Sequence, residues 1–140
     1  MPIFKKILVP LDGSKNSFRA LTRAIDLAKQ TKATIACILV IQTYRTEMGV
    51  VKTVVGEVMS RNLKKIMKIA KNKCKKNQIK FLEAIRYGQE GKEIVSFAEK
   101  NNYDMIVIGS RGRGLLKEAL LGSTSHYVVH ASKIPVLVIK

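Results

Sequence analysis

Residues 105–125, which read MIVIGSRGRGLLKEALLGSTS, decide the fold and the candidate site of this 140-residue chain. A short apolar run at 105–108 leads directly into glycines at positions 109, 112 and 114. An apolar pattern with helical spacing follows, and a second break comes at residues 122–125. A strand, a glycine loop and a helix in this order aim backbone N–H groups at an anion, and glycine lets a phosphate approach without a Cβ in the way.

The side chains of the same stretch include donors that suit a phosphate. They are Arg111, Arg113 and the hydroxyls of Ser123, Thr124 and Ser125. The plainer alternative is a strand-to-helix turn without a ligand. The stretch is not a Walker A loop, because no Gly-Lys-Ser/Thr follows the glycines at that spacing. It is not the usual dinucleotide fingerprint either, because its glycines follow the fourth predicted strand and not the first.

The rest of the chain alternates between the two kinds of apolar pattern. Compact apolar runs predict five strands, at 5–11, 33–41, 79–87, 105–108 and 135–139. Helical spacing predicts four helices, at about 18–28, 55–74, 94–98 and 115–131, the last interrupted near 122–125, and residues 42–51 are interpreted as a loop. This alternation predicts one α/β domain over residues 1–140, with a parallel sheet and helices on both faces.

The ends of the first and fourth strands are the candidate binding positions. Ligands of such sheets bind beyond the carboxyl ends of the strands, where the strand order reverses. Pro10, Leu11 and Asp12 follow the first strand, and the glycine loop follows the fourth. Both segments face one crevice if the two strands are neighbours.

Composition limits the cellular setting. The longest apolar run, residues 35–41, is seven residues long, far short of the roughly 20 that a membrane-spanning helix needs. The N-terminus has no apolar segment of signal-peptide length, so a cytoplasmic location is expected. Cys37 and Cys74 both fall on apolar patterns and are expected to be buried thiols in a reducing compartment.

The charge is strongly positive. The chain has 26 Lys and Arg against 10 Asp and Glu, a formal net charge of +16. Residues 61–80 contain nine basic residues and no acid, at positions 61, 64, 65, 68, 71, 73, 75, 76 and 80. Such a face attracts polyanions, including nucleic acid. A solvated helix surface is the plainer interpretation and the favoured one, because no aromatic residues are interleaved with the charges.

Four positions of the opening stretch match a family pattern. Gly109, Gly112, Gly122 and Ser123 fit Gly-x2-Gly-x9-Gly-Ser/Thr, and the segment resembles the nucleotide-binding signature of the universal stress protein family. Residues 5–14, 104–112 and 135–139 resemble the opening strand, the fourth strand and the closing strand of that family. The resemblance therefore covers the full length of the chain.

The resemblance implies a fold, a ligand and an assembly. The fold is a doubly wound, five-stranded parallel sheet in the order 3-2-1-4-5, of the adenine nucleotide alpha hydrolase-like type. Members with this signature bind ATP or a related adenine nucleotide, and they form homodimers through the last strand, here residues 135–139. The implied function is a cytosolic, nucleotide-dependent dimeric switch in stress response; ATP and AMP both remain open.

The resemblance also implies roles for individual residues. Pro10, Leu11 and Asp12 would line the adenosine side, and Val40 would meet the adenine through its backbone. The ribose and phosphates would be wrapped by Gly109, Ser110, Arg111, Gly112, Arg113, Gly114 and Leu115. The phosphates would be held at the helix N-terminus by Gly122, Ser123, Thr124 and Ser125. Asp12 is the first choice for touching the ribose or helping to hold a magnesium ion. The turn at 88–91 lacks the family's proline, which is expected to have little bearing on the nucleotide.

Other interpretations of single residues stay open. Asp12 is alternatively a turn residue that bonds its own backbone. His126 and His130 are four apart, but no HExxH glutamate or third ligand accompanies them, so a helix surface is favoured over a metal pair. Catalysis is weakly supported, because Glu118 is the one acid in the loop and helix segment. The expected state is therefore bound ATP that turns over slowly or not at all, and an ATPase would lose its turnover in Asp12→Ala.

Overall fold

The computed structural model describes residues 4–46, 49–52, 57–111 and 121–140. The strands are β1 (Lys6–Pro10), β2 (Thr34–Thr46), β3 (Gly49–Lys52), β4 (Phe81–Gly88), β5 (Met105–Gly109) and β6 (Val136–Ile139). The helices are α1 (Lys15–Thr31), α2 (Glu57–Lys76), α3 (Glu90–Lys100) and α4 (Ser123–Ala131). Within these ranges no helix combines the length and the apolar composition needed to cross a membrane.

Five of the strands form the predicted parallel sheet. Their spatial order is β4-β2-β1-β5-β6, which is 3-2-1-4-5 when the parallel strands alone are numbered. Strand β1 pairs with β2 on one side and with β5 on the other. The strand order therefore reverses between β1 and β5, and the prediction that these two strands are neighbours is confirmed.

Strand β3, which the sequence did not predict, corrects the interpretation of residues 42–51. Residues 42–51 were expected to be a loop, but β2 continues to Thr46 and pairs antiparallel with β3, with Thr43 opposite Lys52 and Thr46 opposite Gly49. The loop prediction is wrong. The β-branched and aromatic residues on the two arms favour extended backbone. Each arm is too short, however, to display a clear period of two in the sequence.

The sheet separates two apolar cores, because neighbouring residues of a strand point to opposite faces. Ile7 and Val9 of β1 point into the core against α1 and α2, whereas Leu8 points into the core against α3 and α4. Both cysteines lie in the core against α1 and α2, and both are buried free thiols, as expected. Burial raises the pKa of the Cys74 thiol to about 11, so these thiols stay protonated.

Candidate functional site

The turn after β1 is fixed by short-range hydrogen bonds. The Leu11 N–H donates to the Ile38 carbonyl at 2.9 Å, which extends the pairing of β1 with β2. Beyond it, Asp12 Oδ1 accepts from the Ser14 N–H at 2.8 Å, and Gly13 takes a φ of 84°. The backbone bond that the alternative interpretation of Asp12 as a turn residue predicts is therefore present. The same residue also faces the cavity described below.

Asn16 ties this turn to the ends of β5 and β6. Its Oδ1 accepts from the Arg111 N–H at 2.8 Å, and its Nδ2 donates to the Ile139 carbonyl at 3.2 Å. A Cβ on Gly109 would overlap Asn16 Oδ1. This close approach requires glycine at position 109. The apolar run of β5 ends at Gly109, and Asn16 of α1 contacts the chain at the same point.

The N-terminus of α4 is built against the end of β5. The Gly122 N–H donates to the Ser110 carbonyl at 2.8 Å, and Ser125 Oγ donates to the same carbonyl at 2.9 Å. Gly122 is the N-cap and has no side chain to cap the helix, and the first turn contains no acid. At α1, by contrast, the Ser14 side chain accepts from the Ser17 N–H. The first-turn N–H groups of α4 therefore have neither a capping side chain nor an acid beside them, which suits an anion.

These three segments surround one cavity of about 370 Å³ at the carboxyl ends of β1 and β5. Its volume is within the range of small-molecule sites. The residues that line it are Pro10, Leu11, Asp12, Ser17, Gln42, Glu90, Ile108, Gly109, Arg111, Gly122, Ser123, Thr124 and Ser125. The two glycine breaks, 109 and 122, thus meet at a single hollow where the strand order reverses.

Most of the described candidate residues lie at this cavity, but two do not line it. Val40 packs against the core on the α3 and α4 side of the sheet. Ser110 is buried, and its carbonyl holds Gly122 and Ser125 in place. The Ser125 hydroxyl is thereby already engaged, whereas Ser123 is exposed and Thr124 half-buried. Gly112, Arg113, Gly114 and Leu115 lie outside the described residues.

Four lining residues were not among the candidates: Ser17, Gln42, Glu90 and Ile108. Gln42 lies where the parallel pairing of β2 with β4 ends, and Glu90 follows β4 as the first residue of α3. Both strands lie on the side of β1 opposite to β5. The rule that ligands bind beyond strand carboxyl ends was a signal for both. The missing proline at 88–91 was expected to have little bearing on a nucleotide, yet this is the turn that places Glu90 at the cavity.

The electrostatics of the cavity are mixed. Burial, followed by the negative charge of Asp12, raises the pKa of the Glu90 carboxyl, while hydrogen bonds from the Gln42 and Thr124 side chains act in the opposite direction. Arg111 and the N-terminus of α4 supply positive charge and positive potential. The cavity therefore contains two carboxylates, and one of them, Glu90, is hydrogen-bonded to Thr124 at the anion-attracting N-terminus of α4.

The described residues contain no group of three or more His, Cys, Asp or Glu side chains that could hold a metal ion. His126 and His130 have ring centroids 4.4 Å apart on an exposed face of α4. A magnesium ion held by Asp12 would therefore need further oxygen ligands, which the phosphates of a bound nucleotide would supply.

Comparison with known proteins identifies the family. The sequence model described as the universal stress protein family matches residues 3–140. The chain belongs to this family. Two relatives are each 34% identical to it: universal stress protein MJ0531 of Methanocaldococcus jannaschii, with 99% of this chain and 83% of the relative covered, and universal stress protein YxiE of Bacillus subtilis, with 99% and 100% covered.

Solved structures of the family share the fold. The structure of MJ0577 of Methanocaldococcus jannaschii is 32% identical, with a TM-score of 0.70 and coverage of 99% of this chain and 96% of that one. A universal stress protein in complex with cAMP is 23% identical, with a TM-score of 0.73 and 98% and 97% covered. The Archaeoglobus fulgidus universal stress protein in complex with dAMP is 22% identical, with a TM-score of 0.73 and 99% of both chains covered.

Proposed function

We propose that this chain binds ATP or a related adenine nucleotide in the cavity between the ends of β1 and β5, and that it acts as a cytoplasmic, dimeric switch in stress response. The observation that carries the proposal is the meeting of Gly109, Gly122 and the uncapped N-terminus of α4 at one hollow. An anion there would accept hydrogen bonds from first-turn N–H groups that no side chain caps. Family members in complex with cAMP and with dAMP support the choice of an adenine nucleotide.

The chemistry of the lining divides the site into two parts. Ser123, Thr124 and Arg111 would meet the phosphates, because hydroxyls and a guanidinium donate to phosphate oxygens. Pro10 and Leu11 offer apolar contact on the adenosine side. Asp12 would accept from a ribose hydroxyl, or would help to hold a magnesium ion bridged by the phosphates.

The dimer is proposed to form through β6. This strand lies at the end of the described sheet order, next to β5. Leu137 in its centre is 39% exposed. An edge strand with an exposed apolar side chain is a template for pairing with a second copy. A nucleotide that orders the α4 N-terminus acts close to this edge, because the Ser110 N–H, next to Gly109, donates to the Ile139 carbonyl at 2.7 Å.

The first prediction is that MgATP raises the melting temperature of the purified protein by several degrees at a concentration 100-fold above its Kd. A ligand bound only by the folded state adds about 2.7 kcal/mol at that concentration. The shift is measured by differential scanning fluorimetry, and the particle mass is measured by light scattering in the same samples. MgGTP serves as the control for base selectivity. No shift at millimolar ATP, together with no nucleotide released on denaturation, rejects the proposal.

A second candidate function is electrostatic binding of nucleic acid by α2, and the exposed face of this helix favours it. The basic side chains on that face are Arg61, Lys64, Lys65, Lys68, Lys71, Lys75 and Lys76. They recur every three or four residues over about 22 Å of helix. The opposite side, with Ile66, Ala70 and Cys74, is buried in the core. Because the apolar side of α2 is already packed against the core, its exposed face presents positive charge alone. Such a face suits contact with the phosphate backbone of a nucleic acid.

The second prediction tests this face by charge reversal. Replacing Lys64, Lys68 and Lys75 together by glutamate is expected to weaken binding of a single-stranded 20-nucleotide RNA by at least about tenfold at 100 mM salt and to reduce the salt slope by about two. The MgATP shift should remain. The matched control reverses Lys92, Lys100 and Lys133, which are exposed on the other side of the sheet and change the net charge equally. Equal losses in both triple variants, or wild-type binding that does not change with salt, exclude a site on α2.

A further inference from the structure

Glu90 owes its position to the turn that leads from β4 into α3. Gly88 ends β4 with a φ of 148°, a conformation that side chains rarely allow. Gln89 is the N-cap and makes no side-chain capping bond, and Glu90 is the first residue of the helix. A carboxylate in the first turn is stabilised by the positive end of the helix. The sequence Gly-Gln-Glu-Gly therefore presents an acid at the carboxyl edge of the sheet.

The following glycine brings α3 close to α4. Gly91 is buried, and a Cβ there would lie 2.6 Å from Tyr127 Cδ1 of α4. Without that side chain the first turns of the two helices approach each other. Glu90 consequently accepts a hydrogen bond from the Thr124 side chain, at the N-terminus of α4. The carboxylate thus lies at the point where an incoming phosphate would be held.

The charge around Glu90 is unfavourable for a further anion on its side of the cavity. Asp12, from the turn after β1, faces it and is close enough to act on its ionisation, and Gln42 donates to it from β2. Arg111 lies in the lining of the same cavity. A phosphate that approaches Thr124 therefore meets attraction from the α4 N-terminus and from Arg111, and repulsion from two carboxylates.

We propose that Glu90 is a specificity-determining residue that limits the negative charge the site accepts, so that adenine nucleotides of low net charge bind better than metal-free triphosphates. This inference rests on the proposed nucleotide function of the same cavity. Thr124 has one hydroxyl proton and donates it either to Glu90 or to a phosphate, not to both. The Glu90 charge also repels each added phosphate charge, and at about 6 Å with an effective dielectric constant of about 40 one such pair corresponds to roughly tenfold in affinity.

The test measures Kd by isothermal titration for adenosine, AMP, MgATP and ATP with EDTA, on wild-type protein and on Glu90→Gln. Glutamine keeps the size of the side chain and a hydrogen-bonding oxygen but removes the charge. Adenosine affinity is expected to stay within about twofold, and metal-free ATP is expected to bind at least about tenfold more tightly to the variant. AMP and MgATP should fall between these two, because each presents less net charge.

The matched control is Glu93→Gln. Glu93 lies in the same first turn of α3, with its carboxyl carbon 3.1 Å from the position of a Cβ on Gly88, and it does not line the cavity. The two proposals fail in different ways. Wild-type and variant protein that bind none of the four ligands reject the nucleotide function itself. Binding of all four with the same change for adenosine and ATP, or with equal effects of Glu90→Gln and Glu93→Gln, overturns the role of Glu90 and leaves the nucleotide function standing.

Discussion

Gly109→Ala is expected to lower the melting temperature by about 5–10 °C. The added Cβ would overlap the Asn16 side chain and come within 3.1 Å of the Asn16 carbonyl oxygen. Overpacking at such a contact costs about 2–3 kcal/mol, and for a domain of this size each kcal/mol lowers the melting temperature by about 3 °C. The measurement is thermal unfolding followed by circular dichroism, without nucleotide.

A double-mutant cycle distinguishes this clash from a general loss of stability around position 109. Asn16→Ala removes the bonds to the Arg111 N–H and the Ile139 carbonyl, at a cost of about 1–2 kcal/mol. In the double variant the alanine at 109 no longer meets Oδ1, so its total cost should be at least about 1 kcal/mol below the sum of the single costs. Strict additivity of the two substitutions would show that the Asn16 side chain is not what excludes a Cβ at position 109.

The features that the sequence predicted well depend on short-range patterns that tertiary contacts reinforce. The apolar run before Gly109 and the run before Pro10 are both buried strands, and their parallel pairing puts their carboxyl ends at the same edge of the sheet. Once β1 and β5 are neighbours, Asp12 and Gly109 have to face one crevice. Gly109 and Gly122 lie close together in the structure because the Gly122 N–H donates to the Ser110 carbonyl at 2.8 Å.

The features that were missed depend on where distant segments meet. Gln42 lies in a stretch interpreted as loop, and it reaches the cavity because β2 continues past the end of its pairing with β1 at Ile38 and still pairs with β4 at Gln42. Glu90 reaches the cavity only because Gly91 fits against Tyr127, which is 36 residues further along the chain and on another helix. The sequence of neither segment contains a periodic pattern that would predict such a contact. Val40 was chosen by family resemblance for a contact through its backbone; its side chain packs against the core, and Gln42 two residues later lines the cavity.

Gly122→Val is expected to weaken ATP binding by about thirtyfold or more. Gly122 lines the cavity at the N-cap of α4, so a branched side chain there would occupy the space beside the first-turn N–H groups. Forcing a ligand against such a side chain costs about 2 kcal/mol, which corresponds to about thirtyfold in Kd. The backbone itself tolerates valine, because its φ of −64° and ψ of 160° lie in the extended region. Loss of a glycine N-cap should cost the fold only about 1 kcal/mol.

The matched control for this substitution is Leu121→Val, which places the same side chain one residue earlier, at an exposed position outside the cavity lining. It should bind ATP with wild-type affinity. Gly122→Ala, with a single methyl group, should fall between wild type and valine, and it remains informative if the valine variant is poorly folded. Because a phosphate site at the α4 N-terminus needs open space at position 122, unchanged ATP affinity in a folded Gly122→Val protein would place the nucleotide elsewhere in the molecule.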